Sequence, residues 1–207
     1  MDGYRIDAVV GDCLIEIQCA GLSAIRPKIK NLVKTRDVLV VKPLCEKKML
    51  LKRKRKGGKI VSKRRSPKSE SYYDIFDELV HFTSVFPHPR LTLEILLTEQ
   101  EEVRLPPLRK SWRRRPRVED RRLVSVTGRL TLRDNRDLLK MLPDELPKPF
   151  NTSDLAEAAE IPRWLAQKMT YCLRHSGAIK QVGKNRNTIL YERAKIRGRR
   201  KTASKAA

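Results

Sequence analysis

Histidine is scarce in this chain, three in 207 residues, and the four cysteines never form a C-x2-C pair, so the ligand spacing of a zinc site is missing. No glycine-rich phosphate loop, no G-x-S-x-G and no H-E-x-x-H occurs, which removes the motif-bearing nucleotide-binding, hydrolase and metalloprotease classes. No apolar run approaches the length of a spanning helix, and the N-terminus lacks the charged and apolar regions of a signal peptide. The expectation is a cytoplasmic protein with no membrane partner. Aromatic residues make up 5%, too few for a core rich in large rings, although a hydrophobic content of 40% supports folding. Acidic residues are also short, 24 against 47 Lys and Arg. The net charge of +23 and a pI near 10.3 attract polyanions, with nucleic acid first among them.

What is present centres on residues 4–18, YRIDAVVGDCLIEIQ. Apolar and polar residues alternate on both sides of Gly11-Asp12, a two-residue hairpin turn in which Gly supplies the positive φ. The register pairs Val10 with Cys13, Val9 with Leu14, Ala8 with Ile15 and Asp7 with Glu16. Strict alternation then gives a core face of Ile6, Ala8, Val10, Cys13, Ile15 and Ile17. Asp7 and Glu16 share the other face, about 4.5–5.5 Å apart at Cβ, where like charges repel unless something lies between them. A divalent cation is one such partner; two solvated carboxylates screened by Arg5 are the alternative. Next, Ser23 is placed to cap a helix whose Ile25, Ile29, Leu32 and Val33 form one apolar face, with Pro27 in its first turn and Arg26, Lys28, Lys30 and Lys34 outward. Asp37 to Lys42 reads as a β-branched strand ended by Pro43, and strand, helix, strand implies a parallel crossover.

D-x8-E-x-Q on a hairpin, followed by a basic amphipathic helix and a buried strand, resembles the core of the PD-(D/E)xK, or restriction-endonuclease-like, nucleases. The resemblance covers residues 4 to about 44 and again about 134 to 193, where the chain is similar to prokaryotic proteins joining such a core to a C-terminal DNA-binding module. It implies that Asp7 and Glu16 hold Mg²⁺ or Mn²⁺, and that Gln18 stands where the superfamily usually has Lys. Gln18 carries no positive charge and is no general base, so Lys28 or Lys30 is expected to stabilise the developing phosphate charge. The superfamily also places a helix before the first strand, and this chain begins only a few residues upstream. The rival expectation is therefore a degenerate, noncatalytic core that binds DNA as a regulator or architectural scaffold. Many nucleases of this superfamily act as dimers, so the resemblance admits a homodimer.

Residues 46–68 are dominated by charge. Met49–Leu51 and Ile60–Val61 flank Gly57-Gly58, which suits a basic hairpin as well as a disordered basic loop. Lys52, Arg53, Lys54 and Arg55, with Arg26, are expected on phosphates. Tyr72–Phe82 has helical spacing, with Asp74, Asp77 and Glu78 outward, and Leu91–Thr98 reads as a strand. His81 and His88 are read as structural, and Cys13 as a core residue. The proline- and arginine-rich 106–122, containing Trp112, Arg113 and Arg114, reads as a linker.

A second domain is expected over 123–193: a strand pair at Leu123–Leu132, a helix from Asp134 to Leu142, a helix capped by Thr152 or Ser153, and a helix opened by Pro162 and closed by Gly177. Two strands around Lys184-Asn185-Arg186-Asn187 complete a pattern resembling a winged helix. On its third helix Arg163, Gln167, Lys168, Thr170, Tyr171 and Arg174 face away from the apolar stripe of Leu165, Met169, Cys172 and Leu173. Arg and Gln suit base edges, while Lys184 and Arg186 suit phosphates. Use of the module for protein contacts is the alternative.

The expected architecture is thus an α/β, or α+β, restriction-endonuclease-like domain over 1–105, a linker over 106–122, a winged-helix (helix-turn-helix) domain over 123–193 and a basic disordered tail over 194–207. The expected function is metal-dependent endonucleolytic cleavage of double-stranded DNA, in a nucleoid-associated setting if the source is prokaryotic. RNA binding stands third, because charge does not distinguish the two nucleic acids.

Overall fold

The computed structural model describes residues 3–107 and 116–195. The chain divides into two mixed α/β units after Asp134. The first unit is built on one sheet. Strands β1 (Ala8–Val10) and β2 (Cys13–Ile17) form the hairpin, followed by helix α1 (Leu22–Leu32) and strand β3 (Asp37–Arg53). Then come β4 (Ile60–Arg65), a single 3-10 turn at Tyr72–Asp74, α2 (Ile75–Leu79), β5 (Leu91–Leu105) and β6 (Arg117–Leu132). The strand order is β1-β2-β3-β5-β6, with β4 also paired to β3. β3 runs parallel to both β2 and β5, which the helical crossovers make necessary.

The expected hairpin register holds: Ala8, Val9 and Val10 pair with Ile15, Leu14 and Cys13, and Gly11 takes φ of +57°. The expected core face does not hold. Val10 and Ile17 are exposed and Cys13 only half-buried, while Leu14 and Glu16 are buried. The inward face is chosen by α1, whose Leu22, Ile25, Ile29 and Leu32 are buried as its periodicity predicts. Ser23 makes no cap. Gly21 is the N-cap residue, and the Leu22 N–H donates instead to Glu78 Oε2 of α2 at 2.9 Å. Pro27 lies in the second turn rather than the first, where it removes one intrahelical bond.

Pro43 does not end β3. The Gln18 N–H donates to Val41 O and the Val38 N–H to Arg90 O, so odd-numbered residues of β3 turn their polar backbone toward β2 and even ones toward β5. Pro43 therefore faces the edge beyond the end of β2, where no ladder bond is lost. Just past it, Cys45 is satisfied by Glu70, whose side chain accepts from its N–H and whose N–H donates to its carbonyl.

The basic stretch 46–68 is an ordered hairpin, β3 pairing with β4 from Met49–Arg65 to Arg53–Ile60. Its order comes from acidic neighbours. Glu99, Glu101 and Glu102 on β5 meet Lys47, Lys63 and Lys48 at 2.8, 3.6 and 3.9 Å. Lys47 and Glu99 stand directly opposite each other, a cross-strand pair of opposite charge that contributes about 0.2–1 kcal/mol.

The expected linker and strand pair are likewise corrected, since β6 is antiparallel to β5 from Leu105–Arg117 to Leu93–Leu132 and belongs to the first unit. Trp112, Arg113 and Arg114 lie outside the described residues.

The second unit comprises α3 (Asn135–Leu139), α4 (Thr152–Ala158), α5 (Arg163–His175), β7 (Ile179–Asn185) and β8 (Thr188–Arg193). β7 and β8 pair antiparallel, and Phe150 bridges Tyr191 of β8. Asn151, rather than Thr152 or Ser153, caps α4, accepting from the Ser153 and Asp154 N–H groups in a capping box completed by Asp154. Leu138, Phe150, Leu155, Leu165, Met169 and Leu173 are fully buried and form the core.

Candidate functional site

Glu16 is the fourth of the five residues of β2 and only 8% exposed, because its face of the strand is covered by α1. A carboxylate buried without a partner is costly. Lys28, from α1, supplies that partner: its Nζ lies 2.5 Å from Glu16 Oε2 and 2.5 Å from the Arg5 carbonyl oxygen. Lys30 is exposed. Two residues along a helix turn the side chain by about 200°, so only one of the two lysines can reach the sheet.

Asp7 lies just before β1, exposed and outside the ladder, which ends at the Ala8–Ile15 pair, so the expected strand pairing of Asp7 with Glu16 is not formed. Asp7 Oδ2 accepts from the Ile17 N–H at 2.9 Å, replacing a backbone partner that β1 no longer offers. The Gln18 backbone N–H goes to Val41, and its side-chain Nε2 donates to Gly21 O at 2.8 Å, which holds the turn into α1. The structure thus brings Lys28 to Glu16 and Asp7 to the adjoining backbone, while leaving Lys30 aside. Among the described residues, Asp7 Oδ1 and Glu16 Oε1 carry no hydrogen bond.

Behind this lies a pair that sequence reasoning missed. Lys42, with its side chain 3% exposed, reaches Glu78 Oε1 at 2.8 Å and Ala20 O at 2.7 Å. Glu78 was expected to face outward; instead its other oxygen caps α1. One carboxylate so fixes both the 18–21 turn and the helix that carries Lys28. The available signal was Lys42 itself, a lone cation closing the apolar run of DVLVVK.

No group of three or more His, Cys, Asp or Glu side chains able to share an ion exists among the described residues. Two carboxylates offering hard oxygen donors suit Mg²⁺, which commonly takes one or two protein carboxylates and completes its shell with water and phosphate. Two of the cysteines are held away from the reactive thiolate form. Burial pushes the Cys172 thiol up to about 12 and raises that of Cys45 as well.

The remaining predicted contacts fall on two surfaces. On the β3–β4 hairpin, Lys52, Lys54 and Arg55 are exposed. Arg53 is not free, since its guanidinium lies 3.2 Å from Glu119 Oε2 and its Nε is buried without a partner. Arg26 donates to His81 O at 3.2 Å. His88 Nδ1 accepts from the Arg90 N–H, a structural role as expected.

On α5, Arg163, Gln167, Tyr171 and Arg174 are exposed, but Thr170 is buried and donates to Gln167 O. Lys168 is half-buried, its Nζ 5.2 Å from the centre of the Trp164 ring. Tyr171 stacks on His175 with ring centres 4.0 Å apart. Trp164, 48% exposed, was missed; a tryptophan one position outside the apolar stripe was the cue. Lys184 and Arg186 are exposed at the β7–β8 turn.

Both units are mixed α/β, the first mainly a sheet, and no helix among the described residues is long and apolar enough to cross a membrane. The chain belongs to the family described as "Domain of unknown function (DUF8091)", whose match spans residues 1–133 and so coincides with the first unit. It is also similar to a protein of Treponema pallidum (strain Nichols) that bears the name "Uncharacterized protein", with 28% identity over 145 residues, 70% of this chain. The chain spans 57% of that relative's length. No solved structure matches it.

Proposed function

We propose that this chain binds double-stranded DNA and that its first unit hydrolyses phosphodiester bonds as a metal-dependent endonuclease. The observation that carries the catalytic reading is the 2.5 Å contact between Lys28 and Glu16. The resemblance lacks a lysine at Gln18, and α1 delivers one to the same carboxylate. Asp7 and Glu16 would hold Mg²⁺ or Mn²⁺, each with its uncommitted oxygen. The ion, when bound, lowers the pKa of a water and polarises the scissile phosphate. Lys28 moves from Glu16 toward the phosphate oxygens as negative charge grows there. Gln18 holds the turn and orients water through its amide, without taking a proton.

The second unit is proposed to be a winged helix. Three helices followed by a hairpin, with Phe150 supplying a third strand position against Tyr191, support that reading. Arg163, Gln167 and Arg174 of α5 would enter the major groove, and Lys184 and Arg186 at the hairpin turn would touch phosphate.

A second reading keeps the DNA and drops the cleavage. Each carboxylate already has a structural bond, and no third acidic ligand joins them among the described residues, which suits a scaffold that only binds.

The experiment is incubation of the purified protein with supercoiled plasmid, linear duplex and branched DNA in Mg²⁺, Mn²⁺ or EDTA. Metal-dependent cutting supports the nuclease. Tight binding without cutting selects the scaffold, and absence of DNA binding removes both.

A further inference from the structure

A groove of about 580 Å³ opens over the sheet of the first unit, a size usual for ligand sites. Its floor includes Val41 and Pro43 of β3 and Leu96 of β5, alternating with the residues that face the helices, and Glu78 of α2 with its partner Lys42 lines one side. Along the strands the groove runs toward Lys48, paired with Gln100, and toward Arg121, paired with Glu102. Its lining therefore passes from apolar to charged: Lys48, Arg121 and Arg122 stand at the strand end, while the lining carboxylates Glu70 and Glu78 are paired with Lys68 and Lys42.

The cations are held in place. Glu102, 2% exposed, accepts from Arg121 Nε at 3.0 Å and lies 3.9 Å from Lys48 Nζ, with Arg104 on its other oxygen. One buried carboxylate fixes three cations and leaves a local excess of positive charge. Between the two regions, the Thr98 hydroxyl, buried to 1%, donates to Leu44 O at 2.8 Å and accepts from Gln100 Nε2 at 2.9 Å. That chain fixes the Gln100 amide, so its Oε1 acceptor is presented without a partner among the described residues.

We infer that this groove seats an unpaired segment of a nucleic-acid strand, a base lying on Val41, Pro43 and Leu96 while its phosphates meet Lys48 and Arg121. Apolar floor, oriented acceptor and fixed cations match the three parts of a nucleotide: base face, base edge and phosphate. A duplex is too wide to enter. The inference extends the nucleic-acid reading but requires neither cleavage at Asp7 and Glu16 nor base reading by α5.

The test measures binding of a short fluorescein-labelled single-stranded oligodeoxynucleotide and, separately, of a blunt duplex, by anisotropy with the full chain. Leu123→Glu places a carboxylate on the exposed groove rim, Gln100→Leu removes the acceptor, and Thr35→Glu makes the same charge change as the first at a site outside the groove. Leu123→Glu is expected to weaken single-strand binding on the order of tenfold and Gln100→Leu several-fold, with duplex binding within about twofold of the parent. Circular dichroism confirms that the variants fold. Unchanged single-strand affinity in both groove variants, an equal loss in Thr35→Glu, or a parallel loss of duplex binding would overturn the inference.

Discussion

Glu78 Oε1 lies 2.8 Å from Lys42 Nζ while Glu78 Oε2 accepts the Leu22 N–H at 2.9 Å, so one side chain neutralises a buried lysine and caps the helix that carries Lys28. Removing it by Glu78→Ala strands Lys42 with only the Ala20 carbonyl, a loss of about 3–5 kcal/mol. Lys42→Met with Glu78→Leu recovers much of this, because the desolvation cost of both charges disappears. Urea unfolding of the three proteins checks it. A loss below about 1 kcal/mol in Glu78→Ala would show that the pair carries little weight.

Glu102 is one of the carboxylates that bear on stability in acid. Burial pushes its carboxyl up, but the hydrogen bonds from Arg104 and Arg121 outweigh burial and hold it below the ordinary value near 4.5. A depressed carboxyl contributes stability that is present above the unfolded-state value and is lost as pH falls through the folded one. Glu102→Gln should therefore cost about 1–2 kcal/mol at neutral pH and flatten the stability profile below about pH 4.5. Equal acid sensitivity in parent and variant would contradict the assignment.

The phosphate binding proposed for the β3–β4 hairpin can be tested separately from its folding. Arg53 is committed to Glu119, so the informative variant neutralises Lys52, Lys54, Arg55 and Lys56 and keeps Arg53. The slope of log K against log salt for duplex DNA should shrink by about 0.9 for each phosphate that the variant no longer neutralises. An unchanged slope would place phosphate binding elsewhere on the chain.

On α5, Gln167→Ala and Arg174→Ala should relax sequence preference in a randomised-site selection, each by about 1–3 kcal/mol at the base contacted. Thr170→Ala, whose hydroxyl is buried, should leave preference unchanged. Uniform weakening on every sequence would assign α5 to the backbone instead.

Much of this arrangement was legible in the residues. Gly11-Asp12 set the hairpin register because a two-residue turn leaves no slack, and Leu165, Met169 and Leu173 placed the buried stripe of α5 because helical periodicity is local. The inward face of β2 was not legible, since burying Glu16 depends on Lys28 arriving from α1. Nor was the passage of β3 through Pro43, which rests on where β2 stops. The stretch 106–122 has a linker's composition, yet Arg117–Arg122 pairs with β5, and that acidic partner cannot be read from the stretch itself. The contacts of Lys28 with Glu16 and of Asp7 with the Ile17 N–H join residues that are close in sequence. Glu78, Lys42 and the groove were missed because they are assembled across crossovers.

Lys28 is proposed to supply the cation missing at Gln18. The most direct test is the rate of Mg²⁺-dependent nicking of supercoiled plasmid by Lys28→Met beside Lys30→Met, with DNA binding measured on the same preparations. Nicking that falls by about 10²-fold or more in Lys28→Met, with binding retained and Lys30→Met close to the parent, is the predicted result. Equal nicking in both variants, or none in the parent, would contradict it.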